Sequence, residues 1–158
     1  MTDRATRTSP PAKSQARSAA RLAAVQALYQ IGMADERPAA QVVEEFRRHR
    51  LGQEVDGDLY AEADEAFFAD LVEGVVERRV EIEELVSSGL ASGWTLGRIA
   101  RPLRAILYAG TFELMARPDV PTAVVINEYV DVAHAFDEQA ETAFVNGVLD
   151  RLAKQLRS

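Results

Sequence analysis

Residues 143–158, AFVNGVLDRLAKQLRS, admit two opposed readings, and the choice between them sets the fold. Asn146-Gly147 is a strong short-range hairpin signal, because both residues tolerate the positive φ angles of a tight reversal. Yet two apolar rows run straight through the pair at a spacing of i, i+4, i+8. One passes from Phe144 through Val148 and Leu152, the other from Val145 through Leu149. A hairpin needs an alternating strand on each side, and none flanks the pair. The spacing therefore predicts a helix over about Gln139 to Leu156 with Asn146-Gly147 inside it.

The same periodicity extends back along the chain. Ser14 is a candidate cap for a first helix reaching about Met33, whose apolar face holds Ala20, Ala24, Leu28 and Ile31. Pro38 opens a second helix over Ala39 to Arg48, with Val42, Val43 and Phe46 inward. The Gly- and acid-rich stretch LGQEVDGDLYAEA reads as a loop. A long helix follows from about Asp64 to Ser87, with Phe67, Phe68, Leu71, Val72, Val75, Val76, Val80, Ile82 and Leu85 at helical periods and Ser88-Gly89 as its stop. Around Trp94 to Ile99 a short helix capped by Thr95 is expected. Pro102 suits the first turn of a helix carrying Leu103, Ile106, Leu107, Phe112, Leu114 and Met115. Arg117-Pro118-Asp119 interrupts it, and Pro121 starts another that runs to Phe136. No segment alternates over a strand's length, so the fold class is all-α.

Composition narrows the function. A chain of 158 residues, 47% hydrophobic and 27% charged, is long enough for one domain with a real core. It has no cysteine, which removes disulfides and thiolate metal sites and makes a reducing cytoplasm the natural setting. No apolar run approaches the ~18 residues of a membrane span. The net charge of -7 speaks against nucleic-acid binding over the whole surface. The charges are segregated, however: Arg4, Arg7, Lys13, Arg17 and Arg21 oppose one acid, Asp3, before residue 22, whereas Glu54 to Glu84 is strongly acidic. Residues 1–13, with Pro10-Pro11, read as a flexible basic arm, and residues 14–158 as one helical domain.

Nothing in the chain has the pattern of a catalyst. His49 and His134 stand far apart without partners at metal-ligand spacing, and Glu81, Glu83 and Glu84 suit a solvated helix surface. No nucleophile elbow, phosphate-cradling Gly loop or HExxH occurs. No metal, cofactor or enzymatic activity is expected. Three features suit binding instead. Arg17 and Arg21 share one helical face, with Lys13 extending the line. Asn127 and Glu128 interrupt the apolar VVINEYVDVA. Phe144 stands near the mouth of the last helix, where an aromatic can be core or can stack an unpaired base.

Four segments in order, ARLAAVQALYQ, RAILYAGTFEL, DVPTAVVINEYVDVAHAF and FVNGVLDRLA, resemble the NusB family of bacterial transcription antitermination factors. INE…FVNGVLD is the most specific part, and the match spans most of residues 17 to 156. The resemblance implies a bundle of about seven helices in two packed subdomains. It also implies binding of boxA-type RNA of ribosomal RNA leaders jointly with NusE, the small-subunit ribosomal protein, within the RNA polymerase elongation complex and its other Nus factors.

The same resemblance makes Lys13, Arg17, Arg21, Phe144 and Asn146 the candidate RNA-binding residues, with Arg17 and Arg21 expected on an exposed side. Asn146 could equally tie its helix to a neighbour. Gly147 is expected to let a neighbouring helix come close. Leu103, Arg104 and Leu107 are the candidate contacts to NusE. Two departures from the family pattern thin the positive charge. The Arg run before AVQALY is reduced to Arg17, Ser18, Ala19, Ala20, Arg21, and Ala143 stands where some relatives have a basic residue. Two rival readings follow: a protein-interaction module without RNA binding, and the N-terminal domain of an RNA cytosine methyltransferase. The latter needs a following Rossmann-type domain with a cofactor-binding Gly motif, and with the sequence stopping at Ser158 it is expected to fail unless the sequence is a fragment.

Overall fold

A computed structural model describes residues 12–34, 38–49, 54–55, 58–59, 64–136 and 141–157. Among these residues it forms seven α-helices: α1 (Ala12–Ala34), α2 (Ala39–His49), α3 (Glu65–Glu77), α4 (Arg79–Gly89), α5 (Arg101–Ala116), α6 (Thr122–Phe136) and α7 (Thr142–Leu156). Leu96–Arg98 adds one 3-10 turn, and β1 (Glu54–Val55) pairs antiparallel with β2 (Asp58–Leu59). That minimal ladder lies inside the segment read as a loop. Asn146-Gly147 is helical, as the apolar rows required.

α5 is the axis of the fold. Every residue from Ala105 to Leu114 is buried, Thr111 and Glu113 included, so this stretch is enclosed on all sides. Pro102 lies in its first turn, where a missing N–H leaves no hydrogen bond unmade. α1, α2 and α3 pack on one another as one subdomain, and α4, α6 and α7 pack with α5 as the other. α1 and α3 also lie against α5, which joins the two. The contact between α3 and α5 needs a glycine: a Cβ on Gly74 would overlap the Phe112 ring. Gly110 does the same for α7, since a Cβ there would sit 3.0 Å from Leu149 Cδ1.

Side chains close the helix ends. Asp64 caps α3, its Oδ1 accepting from the Phe67 N–H at 3.0 Å. Arg151 Nε donates to the Gly89 carbonyl at the end of α4, 2.7 Å away. Arg157 donates to four carbonyls, those of Glu113, Leu114, Arg117 and Val120, and so stitches the end of α7 to the end of α5.

The structure corrects several expectations. Ser14 is not a cap: α1 begins at Ala12, so its first turn forms ahead of Ser14. The long helix from Asp64 is broken at Arg78, whose φ of -107° and ψ of 26° are not helical. Val76 and Val80 point outward, because the buried stripe runs through Phe68, Leu71, Val75, Ile82 and Val86 and leaves them on the far side. Gly147 does not admit a neighbour. Among the described residues a Cβ there would meet only the Arg151 guanidinium of its own helix, at 3.6 Å.

Candidate nucleic-acid interface

The two arginines of α1 have different fates. Arg21 is 3% exposed, buried with Glu113, which is wholly enclosed. Its Nη2 donates to Glu113 Oε2 at 2.7 Å, its Nε to Glu113 Oε1 at 2.9 Å and its Nη1 to Glu128 Oε1 at 3.0 Å. The Tyr129 hydroxyl and the Ser18 hydroxyl donate to the same two carboxylates, at 2.9 and 2.7 Å. Burial pulls the Arg21 pKa down, but the hydrogen bond and charge of Glu113, together with Tyr129 and Glu128, leave it raised. For Tyr129, burial and then the charge of Glu113 hold the phenol well above its usual value. The exposed placement expected for Arg21 is therefore overturned. Its side chain has too many carboxylate partners, each on another helix, to turn to solvent.

Arg17, one turn earlier, is held loosely. Its guanidinium lies 3.8 Å from Asp64, 4.0 Å from Asp119 and 4.7 Å from the centre of the Phe67 ring. Its buried Nε has no hydrogen-bond partner among the described residues. Arg21 and Arg117 approach the same ring, both at 5.0 Å, so three guanidiniums gather around one buried phenyl group. Lys13 belongs to the first turn of α1, but its side chain and residues 1–11 lie outside the described residues. The interruption at Asn127 and Glu128 resolves into an exposed asparagine and a carboxylate that holds α1.

Phe144 and Asn146 lie at the other end of α7. Arg157 is bonded to the Arg117–Val120 turn, beside the Asp119 that Arg17 approaches. The thirteen residue steps from Phe144 to Arg157, which caps α7, span about 20 Å. The structure thus brings Arg17 and Arg21 together but sets Phe144 and Asn146 well apart from them. That span corresponds to about six nucleotides at the ~3.4 Å rise of a stacked strand. Phe144 is half-buried, its ring 5.5 Å from that of Trp94, and Asn146 is exposed without a hydrogen bond among the described residues. Trp94, 47% exposed, was read from the sequence only as part of a short helix. Its being the one tryptophan of the chain, in a Gly-containing loop, was the available signal.

A third surface is an open cleft of about 210 Å³ between α1, α3 and α5, lined by Tyr29, Val76, Arg79, Arg101, Arg104 and Tyr108 among others. Arg79 pairs with Glu83 at 3.0 Å, whereas Arg101 and Arg104 form no ion pair among the described residues. Tyr108 donates to Glu83 at 3.2 Å, and burial followed by that carboxylate's charge pushes its phenol up to about 12. Of the three residues expected to touch NusE, Arg104 lines this cleft, Leu103 is half-buried and Leu107 is fully buried. Leu107 is a core residue, because α5 is enclosed on every side at that level.

Among the described residues no cluster of His, Asp and Glu could hold a metal ion. The structure is a helical bundle with a basic helix end, an exposed aromatic pair and an arginine-rimmed cleft. The NusB family model matches residues 18–154, and the chain belongs to that family. It is 56% identical to the transcription antitermination protein NusB of Novosphingobium aromaticivorans, over 90% of this chain and 96% of that one. It is 52% identical to the protein of the same name in Sphingopyxis alaskensis, over 92% and 97%. Among solved structures it superimposes on T. maritima NusB with a TM-score of 0.73 at 27% identity, covering 94% of each chain. A structure of antitermination factors NusB and NusE in complex with dsRNA shares the fold, with a TM-score of 0.70 at 22% identity. No helix among the described residues is long and apolar enough to cross a membrane.

Proposed function

We propose that this chain is a cytoplasmic, non-catalytic transcription antitermination factor that binds boxA-type leader RNA together with NusE on the RNA polymerase elongation complex. The observation that carries this reading is the 56% identity to a named antitermination protein over 96% of its length. Chemistry on two surfaces supports it. Arg17, with weak ion pairs and an unbonded Nε, can exchange Asp64 and Asp119 for a phosphate at little loss. Phe144, half-buried on an exposed helix mouth, offers a face to an unpaired base, with Asn146 and the Lys13 arm as further contacts. Arg21 serves by fixing α1 in place rather than by touching RNA.

For NusE, the cleft beside α5 is the docking surface, with Arg104 in its lining; of the other two candidates, Leu103 is half-buried and Leu107 lies in the core, and neither lines the cleft. Its Arg101 and Arg104, without an ion pair among the described residues, stand around an apolar floor and suit an acidic or carbonyl-rich element. Filter binding of boxA-type RNA, with and without NusE, tests the proposal. RNA retention that rises when NusE is added is the expected result, and no retention under either condition would remove the RNA-binding reading. Arg104→Glu separates the surfaces: it should weaken NusE binding by calorimetry while leaving circular dichroism and the affinity for RNA alone unchanged.

A further inference from the structure

We infer that Trp94 and Phe144 together form a platform on which one unpaired nucleobase stacks, with Arg98 and Arg151 supplying positive charge on either side; this rests on the RNA-binding reading above. The two ring centres are 5.5 Å apart and the planes are tilted by 45°. Phe144 packs partly against the core and anchors the pair, while Trp94 leaves 47% of its surface in solvent. A tryptophan that fills a core is enclosed and its indole N–H is bonded; Trp94 is neither among the described residues. Among the described residues of the loop between α4 and α5, Trp94 is the exposed large hydrophobic side chain.

The surroundings suit a nucleotide rather than a peptide side chain. The Arg98 guanidinium carbon stands 5.7 Å from the Trp94 ring centre, with its Nη1 donating to the Gly93 carbonyl at 3.2 Å. Gly93 has a φ of 92°, a left-handed conformation that glycine adopts without strain, and it sets the turn that presents Trp94. On α7, Phe144, Gly147 and Arg151 share one face at i, i+3 and i+7. Gly147 therefore adds no side chain of its own beside the Phe144 ring and leaves room for the Arg151 guanidinium, 3.6 Å from where its Cβ would stand, which gives the Asn-Gly pair a use that helix packing does not. Arg151 is exposed and tethered to the Gly89 carbonyl, so its guanidinium is held at the edge of the platform. Aromatic faces flanked by guanidiniums are the arrangement that captures a base and its phosphate.

Because Trp94 is the single tryptophan, its emission reports on this site alone. The probe is a single-stranded boxA-type RNA, with binding measured in parallel by filter retention. Addition of RNA should quench the emission over the same concentration range that saturates retention. Trp94→Ala should weaken retention about 5- to 150-fold, the range for one stacked base, with an unchanged circular dichroism spectrum. Trp94→Phe should recover most of the affinity. Wild-type affinity in Trp94→Ala, or retention of RNA with no change in emission, overturns the platform while the RNA-binding reading stands. Quenching by NusE without RNA assigns the rings to a protein contact and also overturns it. Failure of the wild-type protein to retain RNA removes both readings.

Discussion

The basic end of α1 and the mouth of α7 both carry residues suited to RNA, but their arginines and aromatics are committed differently. At α1 the charge closest to the core is consumed: Arg21 is enclosed by Glu113 and Glu128, and only Arg17 keeps weak partners. At α7 the aromatic surface is open, with Trp94 half in solvent beside Phe144. A guanidinium is available for a phosphate only where no buried carboxylate claims it first. An aromatic ring is available for a base only where the core has not covered both faces. Matching residue types to a ligand therefore says little until each one's internal partners are known.

The largest expected effect falls on the α1 side. Arg21→Ala leaves Glu113 charged and enclosed, and breaking such a buried pair costs about 3–5 kcal/mol. In a chain of this size that lowers the melting temperature by roughly 6–20 °C. A melt within a few degrees of wild type would show that Arg21 is free, and would erase the contrast with α7.

Alkaline unfolding sharpens the same contrast. The phenols of Tyr129 and Tyr108 are raised in the folded state, Tyr108 to about 12. An unfolded tyrosine ionises near pH 10, so above that pH the unfolded chain loses protons that the folded one keeps. Stability should fall from about pH 10 towards 12, by at most ~1.4 kcal/mol per pH unit for each phenol. Urea titrations across that range should show Tyr129→Phe with a shallower decline than wild type. An equal decline would mean that the phenol is not enclosed.

Phe144→Ala should do the reverse of Arg21→Ala. As a half-buried ring it should cost less than the ~3–5 kcal/mol of a core phenylalanine, while RNA affinity falls by ~1–3 kcal/mol. Phe144→Tyr should keep most of the binding. A steep loss of melting temperature with affinity intact would return Phe144 to the core. The smallest effect belongs to Gly147→Ala. With nothing closer than the Arg151 side chain at 3.6 Å, added helix propensity should raise stability by up to ~1 kcal/mol in a thermal melt. Destabilisation would instead reveal a close neighbour there.

These contrasts also mark what the sequence could disclose. The helices were legible because each carries its own apolar stripe: Phe144, Val145, Val148 and Leu149 outvoted Asn146-Gly147, and Pro38, Pro102 and Pro121 marked starts. The family, too, was legible, from INE…FVNGVLD. The break at Arg78 was not, since the apolar spacing continues through it. Arg21 read as a surface charge because its partners, Glu113 and Glu128, are 92 and 107 residues away. Leu107 read as a surface contact because one stripe cannot reveal that a helix is enclosed all round. Gly147 and the Trp94–Phe144 contact share that origin: both depend on which side of a helix is left uncovered, and no local pattern records it.

The central claim, that Arg17 meets RNA while Arg21 is internal, is tested most directly by the salt dependence of RNA binding. The comparison is wild type against Arg17→Ala and against Arg21→Met with Glu113→Gln, a pair that removes the guanidinium without stranding a buried carboxylate. Below the melting temperature of all three, each lost phosphate contact lowers the slope of log affinity against log salt by about one unit. The slope should fall by about one unit for Arg17→Ala and stay at the wild-type value for the Arg21 variant. An unchanged slope for Arg17→Ala, or an equal fall for both, would contradict the account.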